Sequence, residues 1–160
     1  MTQQELDRLI KLLEETPRTI ERLVKDLKDD DLRWKPSARE FSILENVCHL
    51  RDIEHDGYMA RIDKILSEEN PFLPDIDGNK IAEERSYNAQ ELDASLRAFA
   101  GARKDNVRTI KHVSLDQLNR TADFENVGSI TLARLLLMMR EHDQDHIKEL
   151  TDLRERLASK

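Results

Sequence analysis

Residues 132–157 read LARLLLMMREHDQDHIKELTDLRERL. At about 100° per residue, Leu132, Leu135, Met139, His142, His146, Leu150, Leu153 and Leu157 fall within an arc of about 80° on a helical wheel. The spacing predicts one long amphipathic helix, and a long amphipathic helix needs partners of its own kind to bury its stripe. Two of the residues inside that stripe are histidines, His146 at its centre and His142 at one edge.

The rest of the chain supplies three such partners. A helical pattern runs from about Gln3 to Lys28 through Leu6, Leu9, Ile10, Leu13, Ile20, Leu23, Val24 and Leu27, with Pro17 interrupting it. After the breaker-rich joint DDDLRWKPSAREF, Ser42 offers an N-cap with Glu45 three residues on, a capping box that starts a second helix reaching about Glu69. The stretch NPFLPDIDGNK holds two prolines and the pair Asp77-Gly78, so residues 70–87 read as a long loop. A link of that length can cross the end of a bundle instead of returning the next helix antiparallel. The third helix covers about Asn88 to His112 through Leu92, Leu96, Phe99 and Val107. After Gly128, Ser129 is placed to cap the fourth helix, which continues almost to Lys160. The expectation is an all-α four-helix bundle forming one domain over residues 1–160.

Composition agrees and narrows the function. The chain is 37% charged and 38% hydrophobic with only 4 Gly and 4 Pro, which reads as helical and not disordered. A net charge of −7 without a basic stripe argues against nucleic acid and anionic membrane as partners. No apolar run approaches the ~20 residues of a spanning helix, and the acidic amphipathic start MTQQELDRLIKLLEE is not a signal peptide. The single cysteine, Cys48, rules out an internal disulfide framework and reads as core filler. These features predict a soluble cytoplasmic protein.

Side chains four apart on a helix stack on consecutive turns with Cβ atoms ~5–6 Å apart, so His142 and His146 can turn their nitrogens to one ion. Asp143 and Glu149 flank the arc and are candidates to orient the two imidazoles. A third ligand would come from His49, His55 or His112. His49 lies about two turns into the second helix, on its shoulder beside Glu45, Ile53 and Asp56, a position suited to lining a cleft. His55 and His112 read as exposed or joint residues.

Two stretches then resemble a known family. RWKPSAREFSILENVCHLRDIE (33–54) has the aromatic-x-Pro entry, the Phe-Ser-Ile helix start and the His-Leu pair of the DinB/YfiT superfamily. VGSITLARLLLMMREHDQDHIKEL (127–150) has its Gly-x-x-Thr-Leu start and histidine pair. Tyr87 and the arginine-bearing third helix, with Arg103, also fit. The segment RTADFENVGS lacks a proline that the family often carries there, which affects the shape of one loop. The resemblance implies an up-down-down-up bundle, often paired as a homodimer, with a divalent metal on His49, His142 and His146. It further implies a metal-dependent enzyme acting on a small-molecule substrate, either a low-molecular-weight-thiol S-transferase or a hydrolase.

Three histidines with an open position suit catalysis, because a metal closed by four protein ligands cannot activate a substrate. Water or a thiol could occupy that position, so a low-molecular-weight thiol is a candidate co-substrate. Imidazole ligands favour Zn or Ni, with Fe or Mn as alternatives. Glu45, Asp52, Asp56 and Asp143 are candidate carboxylates around the centre, and Trp34 and Tyr87 candidate walls. HDQDH departs from H-E-x-x-H, and the bridging glutamates of a ferritin-like dimetal centre are not evident. The alternative from another class is a non-catalytic, stress-related bundle whose metal is structural or adventitious.

Overall fold

Capping boxes start two of the long helices in the computed structural model, which describes residues 1–159. Thr2 and Glu5 cap α1 (Gln3–Val24), and Ser42 and Glu45 cap α3 (Ile43–Asp52), each pair exchanging side-chain and backbone hydrogen bonds. Between them lies the short helix α2 (Asp29–Arg33). Helix α3 passes through a π-helical turn (Ile53–Met59) into α4 (Ala60–Ser67), so one long rod carries the second helical pattern. A short helix α5 (Gly78–Glu84), then α6 (Leu92–Ile110) and α7 (Leu132–Ala158), complete the helices.

Residue pairings fix the directions. Thr16 meets Asp143 and the Leu23 carbonyl meets Arg154, so α1 and α7 run parallel. His49 meets His142 while Asn46 meets His146, so α3 and α7 are antiparallel. Cys48 meets Ser95 and Glu54 meets Arg103, so α3 and α6 are parallel. The result is the expected four-helix bundle with up-down-down-up order, and the long link does cross the bundle end.

The joints differ from the sequence reading in instructive ways. Helix α1 stops at Val24 because Asp26 takes a left-handed conformation (φ 67°). The 70–87 link is not bare loop: it holds the two-residue strand β1 (Phe72–Leu73) and α5, capped by Asp77. Ser86 at φ 49° and a 3-10 turn over Tyr87–Ala89 delay the third long helix to Leu92. The cap of α7 is Thr131, not Ser129, because Gly128–Thr131 is already a strand (β3), paired antiparallel with β2 (Thr121–Phe124). Strand β1 adds to β2 in parallel, making a small sheet in the order β1-β2-β3. The stretch that lacks the family proline is thus a β-hairpin, turned by Asn126 (φ 63°) and Gly128 (φ 91°). Among the described residues, no helix is long and apolar enough to cross a membrane.

The core falls into two apolar halves. One gathers Leu6, Leu13, Ile62, Ile110, Leu135 and Met139; the other gathers Ile20, Leu44, Val47, Phe99, Leu150 and Leu153. Between them each long helix contributes buried polar side chains at one height: Thr16 from α1, Glu54 from the π-helical turn, Arg103 and Asn106 from α6, and Asp143 and His146 from α7. A polar layer across an apolar bundle has to be hydrogen-bonded throughout. Arg103 meets that demand with all five N–H groups: Nε and Nη2 donate to Glu54 (2.8 and 2.8 Å), Nη1 and Nη2 to Asp143 (2.7 and 2.8 Å), and Nη1 to the Leu13 carbonyl (3.0 Å). Although burial works against its charge, the Glu54 and Asp143 carboxylates hold the guanidinium above its ordinary pKa.

Candidate metal site

At the edge of this layer α3 brings His49 against the α7 pair. The Nε2 atoms of His49 and His142 lie 3.1 Å apart. The ring centroids are 5.3 Å apart for His49–His142, 4.8 Å for His49–His146 and 4.5 Å for His142–His146. One ring nitrogen from each lies within 4.8 Å of the other two, and no fourth His, Cys, Asp or Glu among the described residues joins the group. Nitrogens bound at ~2.0–2.1 Å around a tetrahedral ion stand about 3.3 Å apart, so the cluster fits one divalent cation after small ring adjustments.

The orientation of His146 is set by a relay. Ser42 caps α3, its carbonyl accepts from Asn46 Nδ2 (3.0 Å), and Asn46 Oδ1 is thereby turned to His146 Nδ1 (2.7 Å). That oxygen can only accept, so the Nδ1 of His146 carries the proton and its Nε2 lone pair faces the other imidazoles. Glu149 Oε2 also approaches Nδ1 at 3.3 Å, and the hydrogen bond from His146 holds the Glu149 carboxyl below its usual value. Phe41 packs on His49 with ring centroids 5.6 Å apart, and the Tyr58 ring meets His142 edge-on at 5.8 Å. Burial, then the charge of His146, lowers the pKa of His49 to about 4. Burial and the two neighbouring histidines lower that of His142 to about 2. These two rings are neutral at physiological pH, the state that metal ligation requires.

A cavity of about 370 Å³ opens beside the cluster, lined by Phe41, Asn46, Asn79, His146, Glu149 and Leu153 among others. Through His146 the histidine cluster therefore borders a space of small-molecule size.

The sequence-based candidates sort clearly. His49, His142 and His146 come together, whereas His55 and His112 are exposed on the surface. Glu149 reaches His146 as expected. Asp143 does not orient an imidazole: it is fully buried and turned inward to Arg103 and Thr16. Asp52 is bound by Arg51, Arg85 and the Tyr87 hydroxyl, and Glu45 by the Ser42 cap and Lys35, so neither is free for proton transfer. Tyr87 and Trp34 pack into the second core half, away from the cavity lining. Cys48 is buried, and burial pushes its thiol pKa up. Asn46 went unread in the sequence, although it stands one turn before His49 on the same helix, where an orienting side chain could be sought.

Comparison with known proteins places this arrangement in context. The sequence profile of the DinB superfamily matches residues 12–150. A protein of Oceanobacillus iheyensis, provisionally named a metal-dependent hydrolase, is 24% identical over 141 residues, covering 88% of this chain and 81% of its own. A Bacillus cereus protein with the same provisional name is 25% identical over 157 residues, covering 98% and 90%. YfiT from Bacillus subtilis, provisionally described as a metal-dependent hydrolase with an unusual four-helix bundle topology, superposes with a TM-score of 0.91. It is 22% identical, and the match covers 99% of this chain and 90% of that one, a likeness of fold.

Proposed function

This chain belongs to the DinB superfamily, and from that premise we propose that it is a metal-dependent hydrolase of a small-molecule substrate. The observation that carries the reading is the convergence of three imidazoles from two helices, with no fourth protein ligand among the described residues, beside a cavity that His146 lines. A divalent ion bound there, Zn or Ni foremost with Fe or Mn as alternatives, would supply Lewis acidity and lower the pKa of a water or thiol partner.

The chain's own residues do the remaining tasks. Asn46 keeps the His146 proton on Nδ1, leaving Nε2 free to ligate. Phe41 and Leu153 offer an apolar wall to the substrate, and Asn79 an amide that can donate or accept. Glu149 is the carboxylate that both lines the cavity and contacts a histidine, so it is the group placed to hold a proton during turnover. The same three ligands serve attack by a low-molecular-weight thiol, which would make the protein an S-transferase; the names of its relatives favour water. A homodimer and a cytoplasmic location belong to the same proposal, the latter supported by the single, unbridged Cys48.

The test is elemental analysis of protein purified without a metal-affinity step, beside His49→Ala and His142→Ala. Near one equivalent of divalent metal, lost in both variants, is the expected result. Metal unaffected by His49→Ala would sink the three-histidine centre. Turnover of small esters or amides without added thiol then supports hydrolysis, and turnover that requires a thiol supports transfer. Metal at full occupancy with neither activity would favour the non-catalytic bundle.

A further inference from the structure

We propose that Gly78 is a positioning residue for the metal site: the turn Asp77–Gly78 is the rest on which the His49 imidazole lies, and only glycine leaves room for the ring where the three histidines converge. This inference rests on the metal reading above.

A Cβ built at Gly78 would stand 2.6 Å from Cε1, 2.9 Å from Nδ1 and 3.8 Å from Nε2 of His49. The first two distances are shorter than real Cβ contacts, so either the ring or the turn would have to move. The ring has little room to do so, because Phe41 (5.6 Å), His146 (4.8 Å) and His142 (5.3 Å) surround it. Backbone conformation gives no reason for glycine here. Gly78 is the first residue of α5 and lies outside the left-handed region, where a side chain would ordinarily be welcome. The requirement is steric.

The turn is also held in place. Asp77 accepts from the backbone N–H groups of Asn79 and Lys80 (3.1 and 3.1 Å), which fixes the start of α5. Past its other end, Arg85 pairs with Asp52 (2.7 Å) and Asp56 (2.8 Å) on the His49-bearing rod. Just before the turn, Ile76 Cδ1 stands 3.5 Å from the Cβ position of Gly57, an ordinary contact distance, so the segment also packs against the π-helical turn. Residues 76–85 are therefore strapped along the helix that carries His49.

The two kinds of support are complementary. His146 is oriented by a hydrogen bond from Nδ1 to Asn46. Nδ1 of His49 is buried and has no hydrogen-bond partner; the ring's polar contact is at Nε2, with His142 (3.1 Å), so on the Nδ1 side packing orients it. Gly78 does by contact what Asn46 does by hydrogen bonding.

The test is Co²⁺ binding to the full chain, followed by competition titration and by the visible absorption of the bound ion. It compares the natural protein with Gly78→Ala, Gly101→Ala and His49→Ala. Gly101 is a helical glycine with nothing within 4 Å of its Cβ position, so it reports the general effect of losing a glycine. The expected result is that Gly78→Ala weakens Co²⁺ binding about tenfold or more, the scale of a lost orienting contact. Its spectrum should move toward that of His49→Ala, while Gly101→Ala matches the natural protein. Natural affinity and spectrum in a folded Gly78→Ala would overturn the proposal. Should that variant fail to fold, Arg85→Ala decides: it frees one end of the strap without adding atoms near His49. Several-fold weaker binding is expected there, and unchanged binding overturns the idea. A natural protein that binds no Co²⁺, or a His49→Ala variant that binds it equally well, would instead remove the metal reading itself and this inference with it.

Discussion

Arg103 Nη1 donates to the carbonyl oxygen of Leu13 at 3.0 Å, and Leu13 is the residue whose helical partner Pro17 removes. In an α-helix the N–H of residue 17 would bond the carbonyl of residue 13, and proline has no N–H to give. Helix α1 nevertheless runs unbroken through Pro17. The buried guanidinium replaces the lost donor from across the bundle, while its other donors tie Glu54 to Asp143. Glu54 lies just beyond His49 on its rod, and Asp143 follows His142 directly. One side chain thus satisfies a proline defect and sets the spacing of the two helices that carry the histidines.

Arg103→Ala is expected to destabilise the fold by about 3–5 kcal/mol, because it leaves two buried carboxylates without their cation. In a Pro17→Ala background the cost should be about 1 kcal/mol smaller, since Leu13 then regains a backbone donor. Denaturant unfolding of the four proteins in this cycle measures the difference. Equal costs in both backgrounds would show that the Leu13 bond contributes nothing.

Asn46→Ala removes the acceptor of the His146 Nδ1–H without touching a ligand atom. Metal affinity is expected to fall about tenfold, since loss of a group that orients a ligating histidine costs 10–100-fold. Asn46→Asp should keep most of the affinity, because a carboxylate accepts the same proton. Competition with a chromophoric chelator reads both. An Asn46→Ala protein that binds zinc as tightly as the natural one would mean that Glu149, at 3.3 Å, orients the ring by itself.

Ser42→Ala removes the cap of the helix that carries His49. A lost serine cap costs about 1 kcal/mol, and here the Ser42 hydroxyl also donates to Asn88 Oδ1 at 2.6 Å. A destabilisation of about 1–2 kcal/mol in urea unfolding is expected. A loss within a few tenths would mean that the box contributes little to holding α3.

The long helices and the histidine cluster were legible in the sequence because both are periodic. The stripe from Leu132 to Leu153 is buried much as the wheel predicts, and His49, on the shoulder of its own helix, is partly buried where that shoulder meets the α7 pair. What was not legible depends on partners far along the chain. Phe72 pairs with Asp123 across fifty residues, so neither strand announces itself locally. Asp143 read as a flank of the metal arc because a wheel cannot show that Arg103 waits on the other side. Pro17 read as an interruption because the donor that repairs it is 86 positions away in sequence.

The stability of the metal-free protein should fall in acid earlier than its carboxylates alone would dictate. His49 and His142 titrate near 6.5 when unfolded, but burial and mutual repulsion lower them to about 4 and about 2 in the fold. Above pH ~6.5 both rings are neutral in either state and stability does not depend on them. As pH falls from ~6.5 toward 4, the unfolded chain binds protons that the folded one refuses, and stability declines. Each histidine contributes a slope approaching ~1.4 kcal/mol per pH unit. The loss through His49 levels off below its folded pKa, while that through His142 continues to lower pH. Asp52, whose pKa is also lowered in the fold, adds its own loss only near and below its ordinary value of 3.8. Glu149, held low by its hydrogen bond from His146, adds its own loss around and below its ordinary value of 4.5, so the window between about pH 6.5 and 5.5 isolates the histidines. Urea unfolding of chelator-treated protein across that window should show the decline, and His142→Ala should reduce its slope to about half. Stability that stays flat from pH 7 to 5.5 would mean that the rings take up protons in the fold as readily as outside it, and that the site is not dry enough to keep them neutral.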